Sequence, residues 1–457
     1  MIPPGEPVKR AVIAIKRVLL YTNAVLAGQE MSDQIRGVRP ADPRARYAAR
    51  GQRVHTVLVS SRITGYIQPS ISPLDLRETP TPAAGSEEKT MRNRRAFLKQ
   101  CAGAAAGMLT ARTGLADAGF TPVQIGAAPV KRREVVIGGR RVKTVDIHAH
   151  TFVPDVWDLV KDTPLAATVR GNLTGNIALG NPQRLIDMDA QGIDVQVINV
   201  NAWGYSADRA LARDVVALQN EKISQYCAAR RDRFVGMATV ALQHPDLAAD
   251  QLDQAVRKLG MRGAAIGGSV EGQELSDRKF DPFWAKAEEL AVMLFMHPQP
   301  APGTTQNTRL QGKGGLGNTI GNPLETTVFL SHVIFEGTLD RFPGLKICGA
   351  HAGGYLASYS GRSDALCGRG GGADCKALKR KPSEYFRSQL YVDTMIFHEE
   401  GLRHLVAEVG VDHIFYGTDY PFDWPVGIDF VLNAPFLDNA QKEAILGGNL
   451  IKLLGIT

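Results

Sequence analysis

Four apolar runs in this chain end in a histidine or an aspartate, and that pattern restricts the fold more than any compositional figure does. They are residues 144–150, closing on His148 and His150; 291–297, closing on His297; 345–351, closing on His351; and 413–419, closing on Asp419. Side chains alternate faces along an extended strand, so His148 and His150 share a face about 7 Å apart, close enough to hold one metal ion. Polar tips on several strands far apart in sequence are what a (β/α)8 barrel presents at its C-terminal mouth. The expected fold class is α/β, a single TIM-type barrel.

The segments between these runs keep the alternation of strand and helix that a parallel barrel needs. Further strands are expected at 195–199, 234–238, 263–266 and 390–393, and helices at 182–191, 207–230, 247–259, 281–290, 326–339, 398–409 and 439–454. Eight strand and helix pairs fit one barrel domain over residues 142–457, with loop insertions. The insert at 303–321, with six glycines and no proline, reads as a mobile lid. Gly312-Lys313-Gly314-Gly315 lacks the spacing and strand context of a phosphate-binding loop.

The 457 residues carry a formal net charge of +7, which invites a nucleic-acid partner until the charge is partitioned. Residues 1–118 hold 18 Lys and Arg against 9 Asp and Glu, leaving 35 against 37 for the rest, so the basic excess belongs to the leader. A slightly acidic barrel with no basic stripe is not a nucleic-acid binder. Residues 1–90 contain three tyrosines and no Phe or Trp, too little apolar surface for a core, and are expected to be disordered. Met91 is followed by Arg94-Arg95-Ala96-Phe97-Leu98-Lys99, a small apolar run from Cys101 to Thr110, and Ala116-Asp117-Ala118. That order reads as a twin-arginine export signal over residues 91–118, so a periplasmic or secreted location is expected, or a cytoplasmic one if the internal signal is not used. Such a signal works at an N-terminus, which makes Met91 the expected start and residues 1–90 an upstream mis-annotation. Residues 119–141 form a linker, and no run is long and clean enough for a transmembrane anchor. Cys367 and Cys375 flank a Gly-rich loop; a disulfide and two free thiols both fit.

His148, His150, His297 and Asp419 supply three imidazoles and one carboxylate, a set suited to one first-row divalent cation. Zinc is the expected ion, with manganese as the alternative. Glu325, just ahead of a helix, reads as a helix cap. Trp203 and Tyr205 follow the second strand as pocket or packing aromatics.

With these residues in place, the chain resembles the amidohydrolase superfamily, in the branch typified by aminocarboxymuconate semialdehyde decarboxylase and often called the amidohydrolase 2 family. The resemblance runs from about Val142 to Leu454. It rests on His148-Ala149-His150, Asp232-Arg233-Phe234-Val235-Gly236, His297-Pro298, Arg341-Phe342-Pro343-Gly344-Leu345-Lys346, His351-Ala352-Gly353-Gly354 and Gly417-Thr418-Asp419-Tyr420-Pro421-Phe422. It implies that His351 is a base toward water at the metal, that Asp419 both binds metal and moves a proton, and that Arg362 grips a substrate carboxylate. The family usually has three glycines after the histidine, and Ala352 stands in the first place. A second family arginine is missing: Asn176 and Ile177 occupy its region. Small residues beside His351 are expected to let a substrate approach the backbone. The implied function is a nonoxidative decarboxylase of an aromatic or unsaturated carboxylic acid; the alternative is a hydrolase of a lactone, ester or amide, since both start from the same residues. A binding protein on an inactive barrel is disfavoured because every metal position is filled. A small-molecule acid or lactone is the expected partner, with a homodimer left open.

Overall fold

The computed structural model describes residues 131–457 apart from 371, 423, 425 and 426, so the expected leader, the expected export signal and the first part of the expected linker lie outside the described residues. Eight short parallel strands carry the fold: β1 (Val145–His150), β2 (Val195–Asn199), β3 (Phe234–Gly236), β4 (Gly263–Ile266), β5 (Met293–Met296), β6 (Lys346–Gly349), β7 (Leu390–Asp393) and β8 (Ile414–Phe415). They pair in chain order as β1-β2-β3 and β4-β5-β6-β7-β8. Parallel bridges from Ala238 to Ala264 and from Ala149 to Tyr420 join the edges of the two sheets into a ring. The strands are rich in Val, Ile, Met and Phe and almost wholly buried, as parallel strands covered on both faces must be.

Helices cover the outside, and local sequence sets their limits. Helix α1 (Gln183–Gln191) stops at Gly192, whose φ of +80° gives a left-handed end that a side chain would resist. In α2 (Arg209–Ala228) the Asp208 carboxylate accepts from the Ala210 and Leu211 amides. In α3 (Pro245–Leu259), Pro245 starts the first turn, and Ala248, Leu252 and Ala255 form the buried stripe. Helices α4 (Asp281–Glu289), α5 (Asn322–Phe335), α6 (Leu356–Gly368) and α7 (Glu399–Val409) follow their strands in turn. The segment expected as one helix over 439–454 is three pieces: Asn439–Glu443, a π-turn at Ala444–Gly448, and α8 (Asn449–Leu454). Within the π-turn a Cβ at Gly447 would sit 2.2 Å from the Lys143 carbonyl, so glycine there lets this segment pack against the chain just before β1.

Two apolar layers result. The larger lies between strands and helices around Phe283, Trp284, Phe329 and Leu330. The smaller gathers Val145, Ile147, Val195, Phe295 and Phe415 with Leu450 and Leu454 of α8, closing the ring at the strand starts. Among the described residues, no helix is long and apolar enough to cross a membrane. Cys367 and Cys375 are joined as a disulfide.

Two expectations need correction. The run 413–419 is not one strand: β8 covers only Ile414–Phe415, and Asp419 has φ +56°. The cause is Asp146, whose carboxylate takes the Thr418 amide at 3.0 Å and its hydroxyl at 2.6 Å and turns the chain toward β1. His351 likewise lies two residues beyond β6, with φ +56°, and Ala352 follows at +57°.

Candidate metal centre

The strand tips converge. His150 ends β1, His297 follows β5, and Asp419 follows the short β8. One ligand atom from each of His148, His150, His297 and Asp419 lies within 4.8 Å of every other, and all four residues are buried. His148 Nε2 is 3.1 Å from His150 Nε2, and Asp419 Oδ1 is 3.1 Å and 2.8 Å from those two nitrogens.

The outer ring nitrogens decide what this cluster holds. His148 Nδ1 donates to Asp393 Oδ2 at 2.7 Å, His150 Nδ1 to Asn199 Oδ1 at 3.2 Å, and His297 Nδ1 to the Pro298 carbonyl at 2.8 Å. Each outer bond fixes the tautomer, so in neutral rings all three Nε2 atoms turn lone pairs inward. Three lone pairs and a carboxylate oxygen cannot satisfy one another; a cation between them can. Burial lowers His150 and His297 below the usual imidazole range, which keeps those rings neutral and available as ligands. Burial pulls His148 down as well, but Asp419 and Asp393 outweigh it and raise it to about 10, so a cation bound here would have to displace the proton on His148 Nε2. Burial opposes ionisation of Asp419, yet His148 and His150 hold its carboxyl far below the carboxylate range. The residues present fit a divalent metal ion.

His351 stands beside the cluster without joining it, with Nε2 4.0 Å from Asp419 Oδ2 and Nδ1 buried and unpartnered. Burial, with the neighbouring His148 adding to it, lowers its pKa to about 4, so the ring is neutral at pH 7. The glycines after it serve the fold more than the substrate. A Cβ at Gly354 would lie 2.2 Å from the Pro323 carbonyl, and one at Gly353 2.7 Å from Val392 Cγ1, so they let α5 and β7 close in.

A cavity of about 460 Å³ opens over these residues, lined by His297, His351 and Asp419 with Asn201, Gln306, Asn318, Asn322 and Phe422 among others. The insert expected as a lid supplies part of that wall through Thr305, Gln306, Gly317 and Asn318. Arg362 is not among the lining residues; it sits exposed within α6. Trp203 and Tyr205 face a smaller inner cavity behind the mouth, and the Tyr205 hydroxyl accepts from the Gly267 amide at 3.2 Å. Glu325 is not a cap: its buried carboxylate accepts from Thr304 Oγ1 at 2.5 Å and Ser269 Oγ at 3.4 Å, tying the loop after β5 to the hairpin after β4.

Three supporting residues were not singled out from the sequence. Asp393, at the end of β7, accepts from His148 and from the His351, Ala352 and Met395 amides. Trp424 Nε1 donates to Asp419 Oδ2 at 3.0 Å. Arg184, 1% exposed, donates to the His150 carbonyl at 2.5 Å and to Gln196 Oε1 at 3.0 Å. Only Asp393 carried a signal, since it is one more acid at a strand tip.

Comparison with known proteins places these features in a family. The chain is 29% identical over 281 residues to the 2-amino-3-carboxymuconate-6-semialdehyde decarboxylase of Dictyostelium discoideum, covering 60% of this chain and 76% of that protein. It is 32% identical over 252 residues to a gamma-resorcylate decarboxylase of a Rhizobium species, covering 52% and 76%. Among solved structures, 5-carboxyvanillate decarboxylase from Sphingomonas paucimobilis matches with a TM-score of 0.63 at 26% identity, covering 69% of this chain and 100% of that one. A Polaromonas dihydroxybenzoic acid decarboxylase, solved with manganese and the inhibitor 2-nitroresorcinol, matches with a TM-score of 0.59 at 25% identity, covering 69% and 97%. Residues 145–456 match the amidohydrolase family, and the chain belongs to it.

Proposed function

We propose that this chain is a metal-dependent nonoxidative decarboxylase of an aromatic or unsaturated carboxylic acid. The observation that carries the reading is the inward-facing set His148, His150, His297 and Asp419, with neutral His351 4.0 Å from the Asp419 carboxylate. Relatives named as decarboxylases of gamma-resorcylate and of 5-carboxyvanillate support it. A divalent ion held by the four ligands would draw electron density from the bound acid and hold its oxygens in place. In the reaction the bond from carbon to the carboxyl group breaks, its electron pair stays on that carbon, CO2 leaves, and a proton takes its place. His351 lines the cavity and is neutral at pH 7, so it can take a proton from solvent and pass it on to that carbon. Asp419 Oδ2, steadied by Trp424, faces the same ring.

Three imidazoles and a carboxylate make zinc the ion we favour; manganese, present in the Polaromonas relative, is the alternative. Metal analysis of the native protein decides between them. The reaction is tested by incubating metal-loaded enzyme with aromatic and muconate-type acids alongside lactones, esters and amides, following CO2 and acid release separately. Release of CO2 is expected. Acid release from lactones with no CO2 from any carboxylate would overturn the reading in favour of a hydrolase.

A further inference from the structure

The insert over residues 303–321 is held where its ends meet and is exposed in its middle. A Cβ at Gly321 would lie 2.9 Å from Thr305 Cα, so the two ends touch. At that joint the Thr305 hydroxyl accepts from the Ala301 amide at 2.7 Å and donates to the Gln299 carbonyl at 2.9 Å. Residues 311–315 and 318–320 are exposed, and the Asn318 and Thr319 amides turn back onto the Gly315 carbonyl. The Tyr355 hydroxyl touches the far side through the Thr319 and Ile320 carbonyls at 3.3 Å and 3.4 Å. A loop with joined ends that bonds mainly to itself is placed by its anchor. What it places is cavity wall, because Gln306, Gly317 and Asn318 line the cavity over the metal ligands.

The anchor runs through Glu325. Thr304, beside the joint and buried, gives its hydroxyl to Glu325 Oε2 at 2.5 Å. Ser269, in the hairpin after β4, gives its hydroxyl to Glu325 Oε1 at 3.4 Å, and its carbonyl accepts from Gln299 Nε2 at 2.5 Å. Gln299 lines the cavity as well, two residues after the metal ligand His297. The two positions after β4 have no room for a side chain: a Cβ at Gly267 would lie 2.5 Å from Gln299 Oε1, and one at Gly268 2.5 Å from Glu325 Oε1. A carboxylate taken out of water is costly, and burial raises the Glu325 pKa with the Thr304 and Ser269 hydroxyls set against it. Its contribution therefore lies in what its two partners hold in place more than in the stability of the fold.

We propose that Glu325 is a positioning residue for the metal cavity: bonded to Thr304 and Ser269, it fixes the anchor of the insert and with it the placement of Gln306 and Asn318 against a bound acid. This rests on the decarboxylase reading for the identity of that acid alone. Alanine at 325 removes the clasp and frees the wall. Glutamine keeps it, because a hydroxyl can accept from the side-chain NH2 as readily as it donates to a carboxylate, and Thr304 can then pass its own proton to the Ala301 carbonyl 3.4 Å away.

The test compares the metal-loaded full chain with Glu325→Ala, Glu325→Gln and Thr304→Val, the last keeping the side-chain shape so that a result follows even if the alanine variant does not fold. Trypsin cuts after Arg309 and Lys313, both exposed on the insert, and mass spectrometry separates those cuts from cuts after the exposed Arg257 and Lys258 of α3. Glu325→Ala and Thr304→Val are expected to speed the insert cuts by about tenfold or more with little change at α3, and Glu325→Gln to return the rate toward wild type. On an acid that releases CO2, the same two variants should raise KM by about 5- to 10-fold, hold kcat within about twofold and keep the metal. Unchanged cutting in both variants, equal acceleration at α3, or a loss in kcat or metal in place of KM would overturn the proposal. If no acid releases CO2, the decarboxylase reading falls and the trypsin cuts still decide the role of Glu325. Release of CO2 with wild-type KM and wild-type cutting sinks this inference alone.

Discussion

Asp393→Asn is the most informative single substitution in this chain, because both oxygens of that buried carboxylate only accept. Oδ2 takes His148 Nδ1 at 2.7 Å and the His351 amide at 3.1 Å; Oδ1 takes the Ala352 amide at 2.7 Å and the Met395 amide at 3.1 Å. An asparagine fills the same volume but must turn an NH2 toward one of those donor pairs, whichever way its amide is flipped. Burial alone would raise the Asp393 carboxyl, yet the bond from His148 and the nearby charge hold it below the usual carboxylate range, so the native group is ionised. A hydrogen bond to a charged partner contributes about 1.5–3 kcal/mol, and a buried donor left unpaired costs about 1–3 kcal/mol. Together the variant should lose about 3–5 kcal/mol of unfolding free energy. Losing the group that orients His148 should also weaken metal binding by about 10- to 100-fold. Urea unfolding of chelator-treated protein reads the first, and competition with a calibrated chelator reads the second. A variant within about 0.5 kcal/mol and twofold of wild type on the two measures would refute this account of Asp393. The exposed Asp412→Asn serves as the control.

Arg184→Met should destabilise the fold by about 3 kcal/mol in the same unfolding assay, since it removes the buried donor that the His150 carbonyl and Gln196 Oε1 accept from. Glu325 has its pKa raised by burial, so its ionisation works against the fold: stability should fall as pH rises above the unfolded carboxyl value, and Glu325→Gln should flatten that slope in melting curves taken between about pH 4 and pH 7. His148→Ala should lose the bound ion and CO2 release together, as metal analysis beside activity would show; a full complement of metal in a His148→Ala, His150→Ala double variant places the site elsewhere. Replacing Arg94 and Arg95 by Lys should hold the protein in the cytoplasm, and undiminished export in cell fractionation would discard the twin-arginine signal.

The parts of the site legible in the sequence were those that repeat. Four apolar runs with polar tips mark strand ends, and strand ends of a parallel barrel meet at one mouth, so the sequence alone groups His148, His150, His297 and Asp419, and the structure brings them together. What periodicity cannot show is the backbone beyond the strand. The 413–419 run looked continuous because its residues suit a strand, yet a contact from Asp146, more than 270 residues earlier, bends it after Phe415. Glu325 occupies a helix first turn, where a cap is the local expectation, but its partners Ser269 and Thr304 come from two other loops. Trp424 lies in a stretch without period, and its bond to Asp419 depends on how the chain turns between them. Arg362 has the family spacing from His351, but on α6 that spacing leads to an exposed position, not to the cavity wall.

His351 and Ala352 both hold φ near +57°, a region that costs a residue with a Cβ about 1–2 kcal/mol each. Their amides end on the Asp393 carboxylate, and the next two glycines allow the chain to pass against Val392 and Pro323. The same carboxylate holds the His148 ring. One buried side chain therefore sets the orientation of a metal ligand and the placement of the neighbouring proton carrier, and the strained backbone is the link between them. This makes a distinction that metal affinity alone cannot. If Asp393 acts only through His148, Asp393→Asn supplied with saturating metal should regain wild-type turnover. If it also places His351, turnover should stay about 10-fold or more below wild type at full metal occupancy, because a small displacement of a proton-transfer group is felt in kcat. Full recovery at saturating metal would show that the left-handed turn holds itself without Asp393.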